Sequence, residues 1–273
     1  MKIQWHTELS GNPAKPAVLF LHGFMGSGAD WAHCCRALSK SHHCMCPDLP
    51  GHGRTTVLNG PPEGYTMDKV ANGLLAHLDA CGIDSAAIVG YSMGGRLALR
   101  LALECPERFP VAVIESASPG LRSEQEQDAR REYDFGLARE LETIGHDNLL
   151  FHAFLEKWYE QPIFNTLRRD KARLRDLVAA RLRHNKPPEL AAALRGMSTG
   201  VQECLWDRLP GLSTPTLLVV GEEDHKYKII AEEMADRCDA MAVEVLAGCG
   251  HNVHLENPEG YTGLLRHFLD RLQ

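Results

Sequence analysis

Nowhere in these 273 residues does an apolar run approach the length of about 20 needed to cross a bilayer, so no membrane span is expected. The opening MKIQWHTELS holds no apolar signal segment. Positive charge is not in excess: 29 Lys and Arg stand against 36 Asp and Glu, a formal net charge of −7. A chain that grips phosphate backbones ordinarily shows a basic face or stripe, which argues against nucleic acid as a partner. The Arg-rich stretch 168–183 is interrupted by Asp170, Asp176 and leucines at helical spacing, and reads as a solvated helix face. Repeated CxxC pairs are also missing. His33, Cys34, Cys35, His42, His43, Cys44 and Cys46 crowd one region, but Cys44 and Cys46 alternate along an expected strand while Cys34 and Cys35 sit on an expected helix. That arrangement fixes no tetrahedron of ligands. The thiols read as small buried hydrophobes, and no metal is expected. Nine cysteines, an odd number, with no signal segment suit a reducing compartment where thiols stay unpaired, which makes the cytoplasm the expected location.

What is present is an ordinary globular composition, 44% hydrophobic and 24% charged, in a chain long enough for one large α/β domain or a core with an insertion. KIQWHTEL and PAVLFLHGF read as strands separated by the turn SGNPAKP. A helix is expected around DWAHCCRAL, a strand in HHCMCPDLPGHG, a helix over residues 67–81, and a buried strand running straight into a helix at AAIVGYSMGG. PVAVIES repeats the strand pattern. Alternating strands and helices imply an α/β fold with a mainly parallel sheet covered on both faces. From about residue 121 to 205 only helical patterns occur, and strands resume at TPTLLVVGEED and MAVEVLAGCGH. The expected organisation is therefore a core from residues 1–120 and 206–273 with a helical cap at 121–205, above the crevice at the carboxyl ends of the strands.

Gly90-Tyr91-Ser92-Met93-Gly94 matches G-x-S-x-G, in which a sharp strand-to-helix turn exposes a serine hydroxyl at the positive end of a helix. In that arrangement an acid follows a late strand and a histidine precedes the last helix. Asp224 ends TLLVVGEED, and as the third residue after Gly221 it suits a side chain leaving the strand better than Glu222 or Glu223. His251 lies in a glycine-bracketed loop, with His254 as its rival. The expected triad is Ser92, Asp224 and His251. His22-Gly23-Phe24 ends an early strand, so the Phe24 and Met93 N–H groups are the expected oxyanion-hole donors. Such donors stabilise developing negative charge of several kinds, and the triad alone leaves open a lyase or a carboxylesterase or carbon–carbon bond hydrolase with Ser92 as covalent nucleophile. Arg96 lies four residues after Ser92, on the same helical face, where a guanidinium can hold a carboxylate with two parallel hydrogen bonds.

The segments LHGFMGS, DLPGHG, GYSMGGR, ESASPGL, FLEKWYEQPIF, GEED and GHNVHLENP together run along nearly the whole chain. They resemble the 2-succinyl-6-hydroxy-2,4-cyclohexadiene-1-carboxylate synthases, α/β-hydrolase-fold members of the vitamin K pathway. HGF, DLPGHG and GxSxG are shared across the superfamily; Arg96 after GYSMGG, SPGL, WYEQPIF and GHNVHLENP are more specific. The resemblance implies elimination of pyruvate from an enolpyruvyl polycarboxylate, a small-molecule substrate, with no metal or organic cofactor. It implies no oligomeric state. The serine would act as a base, activated by the histidine. The resemblance also implies substrate contacts from Tyr91, Arg96 and Trp158, and from Arg130, with Arg131 adjacent. A third arginine corresponds to Arg181 or Arg183, and Arg183 is the one selected. Cys249, between Gly248 and Gly250, is read as a packing residue.

Overall fold

The computed structural model describes residues 2–58 and 65–270. Residues 1, 59–64 and 271–273 of the expected core lie outside that description. The run KIQWHTEL forms two strands rather than one, β1 (Lys2–Gln4) and β2 (Thr7–Ser10). The split has a pairing cause: β1 lies antiparallel to β5 (Thr56–Leu58) in a small separate sheet, whereas β2 lies antiparallel to β4 (His43–Pro47). Between them His6 belongs to neither strand: its N–H donates to Thr55 Oγ1 and its carbonyl accepts the Asp48 N–H, both at 2.9 Å.

The remaining strands are β3 (Ala17–Leu21), β6 (Ala86–Tyr91), β7 (Ala112–Glu115), β8 (Thr216–Gly221) and β9 (Met241–Leu246). They complete a seven-stranded sheet of order β2-β4-β3-β6-β7-β8-β9, parallel except at β2. Successive residues of a strand face opposite sides, and both sides here are apolar. Leu19, Ile88, Ile114 and Leu218 meet α2 (Met67–Ala80) and α3 (Met93–Glu104) on one face. Val18, Phe20, Val89 and Leu217 meet α1 (Ala32–Leu38) and α10 (Pro258–Asp270) on the other. A sheet buried on both faces requires this continuous apolar run.

Between β7 and β8 no described residue lies in a strand, and helices dominate. α4 (Glu124–Ile144) starts on a capping box, Ser123 with Glu126. The carboxylates of Asp147 and Asp170 cap α5 (Asn148–Tyr159) and α6 (Lys171–His184), and α7 (Pro187–Met197) opens on proline, whose missing N–H the first turn tolerates. These helices share a cluster of their own, with Leu141, Phe151, Leu155, Leu190 and the core residue Met25 at its centre. Two bidentate arginine–carboxylate pairs fasten the block to the loops and turns at the edge of the sheet. Arg181 reaches Asp30 at 2.8 and 2.8 Å, and Arg169 reaches Glu223 at 2.6 and 2.7 Å. Helices α8 (His225–Asp236) and α9 (Val253–Glu256) flank the carboxyl ends of β8 and β9.

Candidate active site

Ser92 stands between β6 and α3 at φ 50° and ψ −109°, a left-handed position for a residue with a side chain. The turn holds because its N–H donates to the Glu115 carbonyl at 2.9 Å and because glycines let backbones close around it. A Cβ on Gly94 would lie 2.3 Å from the Leu21 carbonyl oxygen, and one on Gly90 would lie 2.4 Å from that of Gly94. Ser92 Oγ is 3.2 Å from His251 Nε2, and His251 Nδ1 is 2.7 Å from Asp224 Oδ2. Facing a carboxylate, Nδ1 carries the proton, which leaves Nε2 free to accept the serine proton.

The rivals are engaged elsewhere. Glu222 is exposed and accepts from the Gly248 N–H; exposed Glu223 is bound to Arg169. His254 is buried and turned away, its Nδ1 and backbone N–H both donating to the carboxylate of Glu115.

His22 Nε2 accepts the Leu49 N–H at 2.8 Å, so its Nδ1–H donates to the Gly23 carbonyl, also at 2.8 Å. Burial holds this imidazole below its ordinary pKa and keeps it neutral. The loop before Phe24 is thereby fixed. Among the described residues neither the Phe24 nor the Met93 N–H is taken by another protein group.

The serine, the histidine and both loops line one cavity, together with Tyr91, Arg96, Arg130 and Trp158. Tyr91 packs on His251 at 5.4 Å, and Trp158 on Phe24 at 5.5 Å between ring centroids. Arg96 donates to Gln202 Oε1 at 2.8 Å and the Met197 carbonyl at 2.6 Å. Both partners are neutral. Burial draws its pKa down to about 10, which still leaves the guanidinium charged at neutral pH. Arg130 differs: its Nε sits 2.9 Å from both oxygens of buried Asp134, which also accepts the Ser198 hydroxyl at 2.6 Å. Arg131 is exposed and pairs with Asp128.

The choice of Arg183 requires correction. Arg183 is exposed and borders a separate depression with Arg54 and Lys186, whereas Arg181 is buried and lines the cavity. Residues two positions apart along a helix point about 200° apart, and Arg181 shares the buried face of Leu177 and Val178. Arg181 is also an exception to the solvated face expected for the stretch 168–183.

Sequence reasoning missed Asp30, Tyr133, Tyr159, Gln161, Lys226 and Tyr227, all on the cavity wall. A signal existed for two of them: Lys226 and Tyr227 follow Asp224 within the first turn of α8, which folds back over the acid. The Tyr227 ring lies 4.7 Å from that of His251. Cys249 is buried, and burial raises its thiol to about 11, so it is uncharged at neutral pH. Among the described residues no group of three or more His, Cys, Asp or Glu is placed to hold a metal, and no helix is long and apolar enough to cross a membrane.

Residues 16–258 match the family described as alpha/beta hydrolase fold. The chain is 34% identical over 97% of its length to the Arabidopsis thaliana protein PHYLLO, chloroplastic, but spans only 16% of that protein. It is 34% identical to the 2-succinyl-6-hydroxy-2,4-cyclohexadiene-1-carboxylate synthase of Salmonella typhimurium, over 96% of each chain. The solved structure of MenH from S. aureus superposes with a TM-score of 0.89 at 28% identity, covering 98% of this chain and 99% of that one. With matches of that extent, the chain belongs to the 2-succinyl-6-hydroxy-2,4-cyclohexadiene-1-carboxylate synthase family of α/β-hydrolase-fold proteins.

Proposed function

We propose that the chain is a lyase that eliminates pyruvate from 2-succinyl-5-enolpyruvyl-6-hydroxy-3-cyclohexene-1-carboxylate, giving 2-succinyl-6-hydroxy-2,4-cyclohexadiene-1-carboxylate for menaquinone or phylloquinone synthesis. The observation that carries this reading beyond family membership is Arg96. It is a cation inside the serine cavity whose hydrogen-bond partners are both neutral, and a charge withdrawn from water without a counter-ion suits an anionic ligand.

In the chemistry this supports, His251 Nε2 takes the Ser92 proton and Ser92 Oγ takes the ring proton adjacent to the succinyl ketone. The C–H electron pair moves onto the ketone oxygen, where the Phe24 and Met93 N–H groups donate to the developing charge. The enolate then collapses through the ring double bond and breaks the ring carbon–oxygen bond to the enolpyruvyl group. Pyruvate leaves as its enolate and is protonated at carbon, so the net transfer is one proton from ring to product. Asp224 holds the imidazole and stabilises its cationic form. The helices of residues 121–205 serve as a cap that narrows the cavity and excludes water. Tyr91 and Trp158 supply flat walls for the ring, and Arg130 offers its terminal amines to a carboxylate. The nine free thiols favour a reducing compartment, and the cytoplasm is the location we assign.

A serine hydrolase would use the same triad for covalent attack, but a generalist ester pocket is mostly apolar. Incubating the pure protein with the enolpyruvyl precursor and, separately, with a simple activated ester tests the two. Pyruvate release is expected from the first; ester cleavage without pyruvate release would overturn the lyase reading.

A further inference from the structure

Among the described residues the charged side chains lining the cavity are Asp30, Arg96, Arg130, Asp134, Arg181 and Lys226. Four of them cancel in pairs. Arg181 is locked in a bidentate pair with Asp30, and Arg130 holds both oxygens of Asp134. The cap's two arginines therefore bring hydrogen-bond donors to the cavity but no uncompensated charge, Arg181 being cancelled by Asp30 of the core. The remaining positive charges, Arg96 and Lys226, both come from the core; the nearby carboxylates Asp224, Glu223 and Glu115 are already engaged by His251, Arg169 and His254.

Lys226 is placed where fold stability does not want it. It occupies the first turn of α8, at the positive end of the helix dipole; the N-cap carboxylate, Asp224, is turned to His251, and the turn itself holds no acidic residue. A cation there is unfavourable. Among the described residues Lys226 has no ion pair; its Nζ lies 5.6 Å from the Tyr227 ring centroid, and that ring in turn packs on His251. For an exposed ammonium, contact with an aromatic face at that distance is a weak tether, readily exchanged for a carboxylate. An unpaired ammonium, a helix end of the same sign and a wall position two residues after Asp224 together form an anion-receiving edge of the cavity.

We infer that Lys226 is a specificity-determining residue, the second uncompensated cation beside Arg96, and that its ammonium takes a carboxylate of the polycarboxylate substrate. The inference rests on the lyase reading for the identity of that anion.

The test compares Lys226→Met, which keeps the stem and removes the charge, with Lys226→Arg. KM and kcat are read by pyruvate release from the precursor, and Kd for tricarballylate, a tricarboxylate probe, is read by calorimetry on the same proteins. Lys226→Met is expected to raise KM and the probe Kd about tenfold, equivalent to about 1.4 kcal/mol, with kcat within about twofold and a shallower salt dependence of KM. Lys226→Arg is expected to bring KM back to within about threefold, since the role needs a charge rather than one geometry. Because Lys226 is exposed, Tm should stay within about 2 °C. Unchanged KM and Kd in Lys226→Met would overturn the inference while wild-type pyruvate release keeps the lyase reading intact. A fall in kcat at constant KM would also overturn it, as would failure of arginine to restore KM. If the unaltered protein releases no pyruvate but Lys226→Met still weakens tricarballylate, the lyase reading fails and the cation assignment stands.

Discussion

Replacing Arg96 separates recognition of an anion from maintenance of the fold. The guanidinium spans two neutral acceptors, Gln202 Oε1 and the Met197 carbonyl, and so braces the end of α7 while its charge faces the cavity. Arg96→Ala removes a charge-assisted contact worth about 1.5 to 3 kcal/mol to a bound carboxylate. At about 1.4 kcal/mol per decade, kcat/KM for the enolpyruvyl precursor should fall about 10- to 150-fold. Part of any loss in stability comes from the two stranded acceptors, so Arg96→Lys is the informative companion. It keeps the charge, but an ammonium cannot replace the planar fork across both acceptors, and about a tenth of wild-type kcat/KM is expected. The assay couples pyruvate release to reduction by lactate dehydrogenase, with Tm measured on the same preparations. If Arg96→Ala slows turnover of a neutral activated ester as much as it slows pyruvate release, Arg96 is a brace for α7, and the argument from its unpaired charge fails.

Ser92→Ala should lower turnover by about a thousandfold or more with Tm nearly unchanged, and Asp224→Asn should be comparably severe, because the triad acts as a unit; wild-type rates in Asp224→Asn alongside a crippled Glu222→Gln would move the acid. Arg183→Ala, now placed outside the cavity, should leave kcat/KM within about twofold in the pyruvate assay. Asp30→Asn should destabilise the protein by about 3 kcal/mol or more, since it strands the buried charge of Arg181, and thermal unfolding reads this directly. Burial by itself would raise the pKa of Asp30, but the charge and hydrogen bonds of Arg181 outweigh it and the net shift is downward. Its contribution is therefore complete above the ordinary carboxylate range and is lost as pH falls through the lowered folded value. Acid unfolding of Asp30→Asn should accordingly show a weaker pH dependence than the wild type.

The features most legible in the sequence were those set by short-range rules. Strands β3, β6 and β8 are uninterrupted apolar runs, the elbow is a fixed spacing of glycines around Ser92, and Asp224 and His251 each follow a strand. Side-chain direction on the helices was less legible. Arg181 and Arg183 share composition and neighbourhood, and only the helical phase set by Leu177 and Val178 decides which one is buried. The carboxylates that cancel Arg130 and Arg181 were hidden for different reasons. Asp134 is one turn along α4 from Arg130 and was open to a spacing argument, whereas Asp30 is 151 positions from Arg181 and no local pattern joins them. The division of KIQWHTEL into β1 and β2 was equally inaccessible, because the partner that captures β1 is β5, some fifty residues later.

The helical block leaves the sheet from β7 and returns to it at β8, and these two strands are hydrogen-bonded neighbours with Ile114 opposite Leu218. Its two ends are thus already adjacent in the sheet, so the entropy of closing so long an excursion grows only with the logarithm of its length. The block also carries its own apolar cluster. We propose that a segment with adjacent ends and an interior drawn mostly from its own helices can be exchanged as a cassette. Exchanging it would alter what the cavity admits and leave the elbow and the imidazole loop on their strands, so this scaffold can diverge in substrate far faster than it diverges in chemistry.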